Sequence, residues 1–342
     1  MKHIDYMKRC IYLATQGRGW VNPNPMVGAV LVHNDTIISE GFHKAFGQPH
    51  AEPDAISKVK NTQFLKEATL YVSLEPCAHF GKTPPCANLI IESKIPRVVI
   101  AMRDPNPQVA GKGIQLLKDA GVEVIEGVCQ SEAIALNPFF NEFHTHKKPY
   151  IILKWAETLN GYMAPLPKKE VFISGSDTQI HTHLLRQKVM GVLVGVGTWE
   201  IDAPELNDRF HGGPQPIRMI LDPHFKGNYG RALNSSIQTW VLTENHNEVD
   251  QNLKIFAIPG LKNNPKTLMD FLYERQINSI MIEGGAATLE YFMNAGCVNE
   301  IHQFKHRTLT WENGLKAPDL NGILPSETRP FEQSDLLVYA IS

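Results

Sequence analysis

Two stretches well apart in the chain carry the residue types of a metal-assisted hydrolase. His50-Ala51-Glu52 sets an imidazole and a carboxylate two positions apart where a helix is expected to begin. Alone, that pattern is common by chance. Pro76-Cys77-Ala78-His79-Phe80-Gly81-Lys82-Thr83-Pro84-Pro85-Cys86 changes its weight, because it follows a strand-like run and brings two thiols to a loop entering a helix. One imidazole and two thiolates make three zinc ligands and leave the fourth tetrahedral position open, as catalytic rather than structural sites do. Zinc in such a site lowers the pKa of bound water from about 15.7 to about 7. Glu52, beside the metal without ligating it, would carry the proton from that water to a leaving group. His79 is a rival ligand to Cys77 or Cys86.

The second half offers a different chemistry. The strand-like run Gly191 to Val194 leads into Gly195-Val196-Gly197-Thr198, and Ser279 to Ile282 leads into Glu283-Gly284-Gly285-Ala286. Glycine turns after strands let backbone N–H groups approach an anion, and a helix starting near Ala286 would aim its positive end at a pyrophosphate. Glu200 falls where the third glycine of the dinucleotide fingerprint would stand. Tight structural turns explain each glycine pair equally well.

These residues need a frame. Val27 to Val32 and Thr36 to His43 read as two strands joined at Asn34-Asp35, a hairpin turn. Helix 51–60, strand 68–74, helix 85–93, strand 97–102, helix 112–120 and strand 122–128 then alternate, implying a largely parallel sheet between helices. A last helix is expected over 131–143. The polar run His144-Thr145-His146-Lys147-Lys148-Pro149 is the expected boundary, giving domains 1–146 and 147–342. The second begins again with strand 150–155. Helix 177–188, strands 191–196, 218–222, 239–243, 255–258 and 279–282, and helices 267–275 and 286–294 continue it. No period is shared between the halves.

The chain has 342 residues, 43% hydrophobic and 20% charged, enough for two cores and unlike a disordered protein. Its 33 basic and 35 acidic residues balance to −2, so nothing draws it as a whole to nucleic acid or an anionic membrane. No apolar run reaches the roughly 20 residues of a membrane span, and Lys2, Asp5, Lys8 and Arg9 interrupt the pattern a secretory signal needs. A cytoplasmic enzyme is expected. Five cysteines are too few and too irregular for a disulfide framework, and Cys10, Cys129 and Cys297 read as packing residues. His181, His183, His211 and His302 read as ordinary surface or helix residues.

His-x-Glu followed by Pro-Cys is the signature of zinc nucleobase deaminases, with one departure: eight residues, not two, separate the cysteines. With that long loop, the chain resembles the bifunctional riboflavin-biosynthesis deaminase/reductases from about Tyr6 to Ile282. Asn22-Pro23-Asn24-Pro25-Met26-Val27-Gly28-Ala29, Leu74-Glu75-Pro76-Cys77 through Cys86, and Ala101-Met102-Arg103-Asp104-Pro105-Asn106-Pro107 carry the first part of the resemblance. Leu153-Lys154-Trp155-Ala156, Leu159-Asn160-Gly161, Phe172 to Gly175, Val194 to Thr198 and Asp202-Ala203-Pro204-Glu205-Leu206 carry the second. It implies an α/β protein with a cytidine-deaminase-like three-layer domain followed by a dihydrofolate-reductase-like domain. Its cofactors would be Zn2+ and NADPH. Its substrate would be 2,5-diamino-6-ribosylamino-pyrimidinone 5'-phosphate, deaminated and then reduced from ribosyl to ribityl.

By that resemblance Glu52 is the catalytic residue and His50, Cys77 and Cys86 are the metal ligands. Asn24, His43, His79 and Lys82 meet the first substrate. Ala156, Phe172, Thr198, Asp202 and the Gly285 to Tyr291 segment line the nicotinamide nucleotide, while Arg186, Leu206, Arg209 and Glu283 meet the second substrate. Two arginines suit a ribose phosphate. A homo-oligomer with small-molecule ligands, and no nucleic-acid or membrane partner, is expected. Asn160 stands where the family usually has aspartate and Phe172 where it commonly has tryptophan, and the stretch after about Gln303 matches poorly. Three other readings stay open: a nucleoside or RNA deaminase, a zinc-stabilised binding protein, and a deaminase whose second domain no longer reduces.

Overall fold

The computed structural model describes residues 3–78, 85–107, 109–166, 173, 175–233, 235–250 and 252–341. The chain divides into two compact units, Met1–Lys147 and Lys148–Ser342.

The first unit runs α1 (His3–Ala14), β1 (Gly28–His33), β2 (Thr36–Phe42), α2 (Ala51–Ser57), β3 (Thr69–Val72) and α3 (Cys86–Glu92). It continues β4 (Arg97–Ile100), α4 (Lys112–Asp119), β5 (Glu123–Glu126), α5 (Gln130–Leu136) and α6 (Pro138–His146). The sheet order is β2-β1-β3-β4-β5, with β1 antiparallel to β2 and β3, and β3, β4 and β5 parallel. Asn34 and Asp35 turn the hairpin with positive φ of 48° and 57°, the hand that matches strand twist. Alternate strand residues face opposite layers. Leu31, Leu70, Val98 and Ile100 pack against Ala55 of α2, Ile90 of α3 and Leu117 of α4. Val30, Tyr71 and Val99 pack on the other side against Met7 and Cys10 of α1, Ala133 of α5 and Phe140 of α6. The single helix expected over 131–143 is two helices. Pro138 disfavours helical backbone at the residue before it, and Asn137 sits at φ −122° and ψ 54°. Its side chain holds Met26, accepting from the N–H at 2.7 Å and donating to the carbonyl at 2.9 Å.

The second unit runs β6 (Tyr150–Glu157), β7 (Tyr162–Pro165), α7 (Ser176–Lys188), β8 (Gly191–Gly195), α8 (Val196–Asp202), β9 (Ile217–Leu221) and α9 (Gly230–Leu233). Next come β10 (Thr239–Thr243), β11 (Glu248–Val249), β12 (Leu253–Ala257), α10 (Lys266–Glu274), β13 (Ser279–Ile282) and α11 (Ala286–Asn294). It ends with β14 (Glu300–His306), β15 (Gly314–Lys316), β16 (Glu327–Pro330) and β17 (Ser334–Ala340). The main sheet is ordered β11-β12-β10-β9-β8-β13-β6-β14-β17-β16. Parallel strands β12 to β14 in that order form its centre, where Ile151, Leu153, Leu193, Met219 and Ile280 meet Leu268 and Leu272 of α10 and Leu289 and Phe292 of α11. Two features differ from expectation. Gly195 to Thr198 is the start of a helix rather than a turn, and the poorly matching tail completes the sheet, β17 pairing antiparallel with β14 from Glu300↔Ala340 to His306↔Ser334. No helix among the described residues is long and apolar enough to cross a membrane.

Candidate metal centre and nucleotide groove

Each residue of the first site is set by the end of an element. His50 is the N-cap of α2, Cys86 the first residue of α3, and Cys77 lies in the loop leaving β3. Helix α2 can lie hard on β2 because Gly41 has no side chain: a Cβ there would come within 2.9 Å of Ala55 Cα and closer still to Ala51 O and Ala55 N. Ser39 Oγ donates to Ala55 O at 2.5 Å, and Asp54 Oδ2 accepts from Phe42 N at 3.2 Å. The helix is thereby fixed in height and rotation.

The result is a triangle of ligand atoms. His50 Nδ1 lies 3.4 Å from Cys86 Sγ and 3.8 Å from Cys77 Sγ, and the three atoms fall within 4.8 Å of one another. Among the described residues no other three metal-ligating side chains converge in this way. Cys86 N donates to Cys77 Sγ at 3.3 Å. The hydrogen bond from the Cys86 thiol, with help from His50, pulls the Cys77 thiol well below its ordinary value against the effect of burial. Cys86 is driven up by the same bond and by burial. A nitrogen and two sulfurs at this spacing, one sulfur already disposed to be thiolate, suit zinc.

Glu52 is 3% exposed, and its carboxyl touches the Cys86 thiol. Burial, and then the charge on Cys77, raise it to about 7. Asn24 and His43 stand beside the triangle. Asn24 Nδ2 lies 3.1 Å from His43 Nε2, His43 Nδ1 lies 3.0 Å from Pro49 O, and the His43 ring meets that of His50 edge-on at 5.4 Å. His79 and Lys82 lie outside the described residues, as does Phe172 of the second unit.

The second unit holds a groove of about 840 Å³ whose walls include Ala156, Thr198, Asp202 and Gly285 together with Arg186, Arg209 and Glu283. Thr198 Oγ1 accepts from Gly285 N at 3.2 Å, tying α8 to the N-cap of α11. Arg186 grips Glu283 with two bonds, Nε to Oε1 at 2.6 Å and Nη2 to Oε2 at 3.0 Å, and donates through Nη1 to Asn207 O at 3.0 Å. Burial opposes it, yet Arg186 holds the Glu283 carboxyl below its ordinary value. Leu206 is not in the groove wall: its side chain is 1% exposed.

Among the wall residues that the sequence reading missed are two that face the charged groups of the groove. Lys154 approaches Glu283 at 4.0 Å. His183, read as an ordinary surface or helix residue, is on α7 but buried, and its Nδ1 accepts from Arg209 N at 3.1 Å. His302 is also buried rather than on the surface. Gln179, Thr182, His183 and Arg186 line the groove at helical spacing, so a polar stripe on α7 was the signal for His183. Asn160 uses both ends of its amide: Nδ2 donates to Trp311 O at 2.7 Å, and Oδ1 accepts from Thr158 Oγ1 at 2.8 Å and from Trp311 N at 3.3 Å. An aspartate could not make the first bond.

Two family models match the chain. Residues 1–102 match the family model of the cytidine and deoxycytidylate deaminase zinc-binding region, and residues 149–307 match the RibD C-terminal domain. The riboflavin biosynthesis protein RibD of Aquifex aeolicus is 41% identical over 94% of this chain and 91% of its own length. That of Escherichia coli is 35% identical over 88% of this chain and 86% of its own length. The crystal structure of a diaminohydroxyphosphoribosylaminopyrimidine deaminase/5-amino-6-(5-phosphoribosylamino)uracil reductase from Thermotoga maritima superposes with a TM-score of 0.88 at 36% identity, covering 99% of both chains. Acinetobacter baumannii RibD superposes with a TM-score of 0.90 at 32% identity, again over 99% of both chains. The chain therefore belongs to the RibD family of riboflavin-biosynthesis proteins, with a zinc-deaminase domain followed by a RibD-type reductase domain.

Proposed function

We propose that this chain deaminates 2,5-diamino-6-ribosylamino-pyrimidinone 5'-phosphate in its first unit and reduces the ribosyl side chain of the product to ribityl in its second. The convergence of His50, Cys77, Cys86 and buried Glu52 from separate segments carries the reading. His50, Cys77 and Cys86 would hold zinc, whose Lewis acidity makes hydroxide available at neutral pH. Glu52 takes the proton of the attacking water and returns it to the departing amine, so that a C–O bond forms, the C–N bond breaks and ammonia leaves. A carboxyl whose buried setting brings it near neutrality suits both halves of that exchange. Asn24 and His43, already bonded to each other beside the triangle, orient the pyrimidine.

In the second unit NADPH would supply the hydride. Ala156, Thr198, Asp202 and Gly285 would hold the nicotinamide nucleotide, and the N-terminal N–H groups of α11 would suit an anionic group of it. Arg209 pairs with the substrate phosphate, and Glu283, clamped by Arg186, receives sugar hydroxyls. Leu206 serves through the backbone turn that it makes at φ 52° before Arg209. The balanced charge supports a small-molecule substrate over nucleic acid.

The test follows ammonia release and NADPH-dependent formation of the ribityl product on zinc-replete protein. Both signals are expected in the parent, and Glu52→Ala should keep its zinc and lose the ammonia. Ammonia release at the parent rate by that variant would remove Glu52 from the mechanism. Absence of both signals in the parent would overturn the substrate assignment.

A further inference from the structure

Glu75, two residues before Cys77, has no part in the chemistry above, yet its carboxylate is 3% exposed and fully occupied. Four backbone N–H groups from another part of the chain point at it. Oε2 accepts from Asp104 N at 3.2 Å and Gly111 N at 3.0 Å, while Oε1 accepts from Gly113 N at 3.0 Å and Ile114 N at 3.3 Å. Gly113 and Ile114 belong to the first turn of α4, whose N-cap, Gly111, has no side chain to satisfy those donors. The Glu75 backbone N–H donates in turn to Met102 O at 3.0 Å. The Arg103-Asp104-Pro105-Asn106-Pro107 motif is braced from within: Asp104 Oδ1 accepts from Asn106 N at 2.8 Å, and Asn106 O from Val109 N at 2.8 Å.

Helix α4 also reaches the peptide just before the metal ligand. A Cβ on Gly113 would run into the Pro76 carbonyl, its distance to Pro76 C being only 3.1 Å. Pro76 has no N–H and so cannot anchor the turn by a donor of its own. What holds Cys77 from behind is therefore the Glu75 clasp and the α4 surface beneath Pro76. From the far side Cys77 O accepts from Ala87 N at 3.1 Å.

We infer that Glu75 is a positioning residue for the metal ligand Cys77, the carboxylate that fastens the ligand-bearing turn to the Asp104 and Gly111 ends of the following loop and to the start of α4. The inference rests on the zinc reading of His50, Cys77 and Cys86. It explains what the Arg103 to Pro107 motif does in a protein whose chemistry leaves it unused. Because four donors converge on two oxygens, a carboxamide of the same shape fails on one side, where its NH2 would face N–H groups.

The experiment uses the full chain with Glu75→Gln and Glu75→Asp. Zinc affinity is measured by competition with a chromogenic chelator, and amide hydrogen exchange is followed at 104, 111, 113 and 114. Glu75→Gln should weaken zinc binding about tenfold and speed exchange at those amides, with NADPH binding unchanged. Glu75→Asp keeps two acceptor oxygens, drawn back by one methylene, and should recover part of the affinity. Faster exchange in either folded variant with parental zinc affinity would make Glu75 a fold residue only and overturn the inference. A parent that binds no zinc would instead overturn the metal reading on which it stands.

Discussion

Replacing Gly41 by alanine should disable the first unit without touching one group that does chemistry. Gly41 needs no positive φ; it needs the space. A Cβ placed there stands 2.9 Å from Ala55 Cα, and nearer to Ala51 O and Ala55 N, all atoms of the α2 backbone. Ordinary contact begins near 3.4 Å, so α2 must withdraw by about 1 Å, because neither backbone can rotate out of the way as a side chain could. His50 caps that helix and Glu52 lies in its first turn, so both move with it. A displacement of about 1 Å at a reacting group costs about 100-fold in rate, equivalent to about 2.7 kcal/mol of barrier. The overpacking itself should cost about 1–3 kcal/mol of stability. Gly47→Ala is the control: Gly47 sits at φ +81° with open space around it, so it costs backbone strain but does not shift α2. Ammonia release, zinc content and NADPH-dependent reduction would be measured on both variants. Gly41→Ala with near-parental ammonia release would show that the height of α2 on β2 does not set the site.

Three further outcomes follow from the same geometry. Arg186→Ala would leave the half-buried Glu283 with Lys154 at 4.0 Å as its remaining cation, so the second unit should lose about 1–3 kcal/mol in denaturant unfolding; unchanged unfolding would show that the pair is solvated. His183, 3% exposed, is pushed down to about 4 by burial and then by Arg186 and Arg209, while Asp208 and Glu283 also face it. The unfolded chain takes up this proton near pH 6.5 and the folded chain only near 4, so stability is full above 6.5 and falls by up to roughly 3 kcal/mol as the pH drops through that window. Asp208 and Glu283, held below their ordinary values, lose their contribution only at lower pH. His183→Gln should make the profile shallower between pH 6.5 and 4, the remaining slope coming from groups such as His181, which burial also pushes down to about 4, and an unaltered profile would refute the assignment. Stripping metal with a chelator should stop ammonia release and spare reduction of the separately supplied deaminated ribosyl compound, since every ligand of the triangle lies in the first unit; loss of that reduction too would mean that it needs the metal.

The sequence was most legible where residue type and chemistry coincide. A histidine, two cysteines and a glutamate pointed to a candidate zinc site before any element was placed, and alternating strands and helices were enough to place those residues at element ends. The hairpin at Asn34-Asp35 was legible for the same reason, as only a few residues accept its left-handed backbone. Less could be read where tertiary contact overrides local preference. Gly195-Val196-Gly197 has the composition of a turn, yet α8 forms there because Trp199 buries itself and its Nε1 donates to Asn228 O at 2.9 Å, a contact 29 residues away. Strand β16 carries Glu327, Thr328, Arg329 and Pro330, all exposed, and owes its existence to pairing with β17 rather than to any alternation of its own.

Least legible is what sets the distances within the site. Gly41 and Gly113 mark two places where one backbone lies on another, and a glycine says only that something is near, not what. Glu75 is a buried carboxylate whose partners are four N–H groups, and backbone donors leave no trace in residue type. The ligands can therefore be named from their side chains, but the roughly 4 Å triangle that they form depends on groups every residue carries. A variant that keeps all four chemical residues and loses the metal or the rate is thus the more searching test of this site, because it asks about the backbone contacts that the side chains cannot reveal.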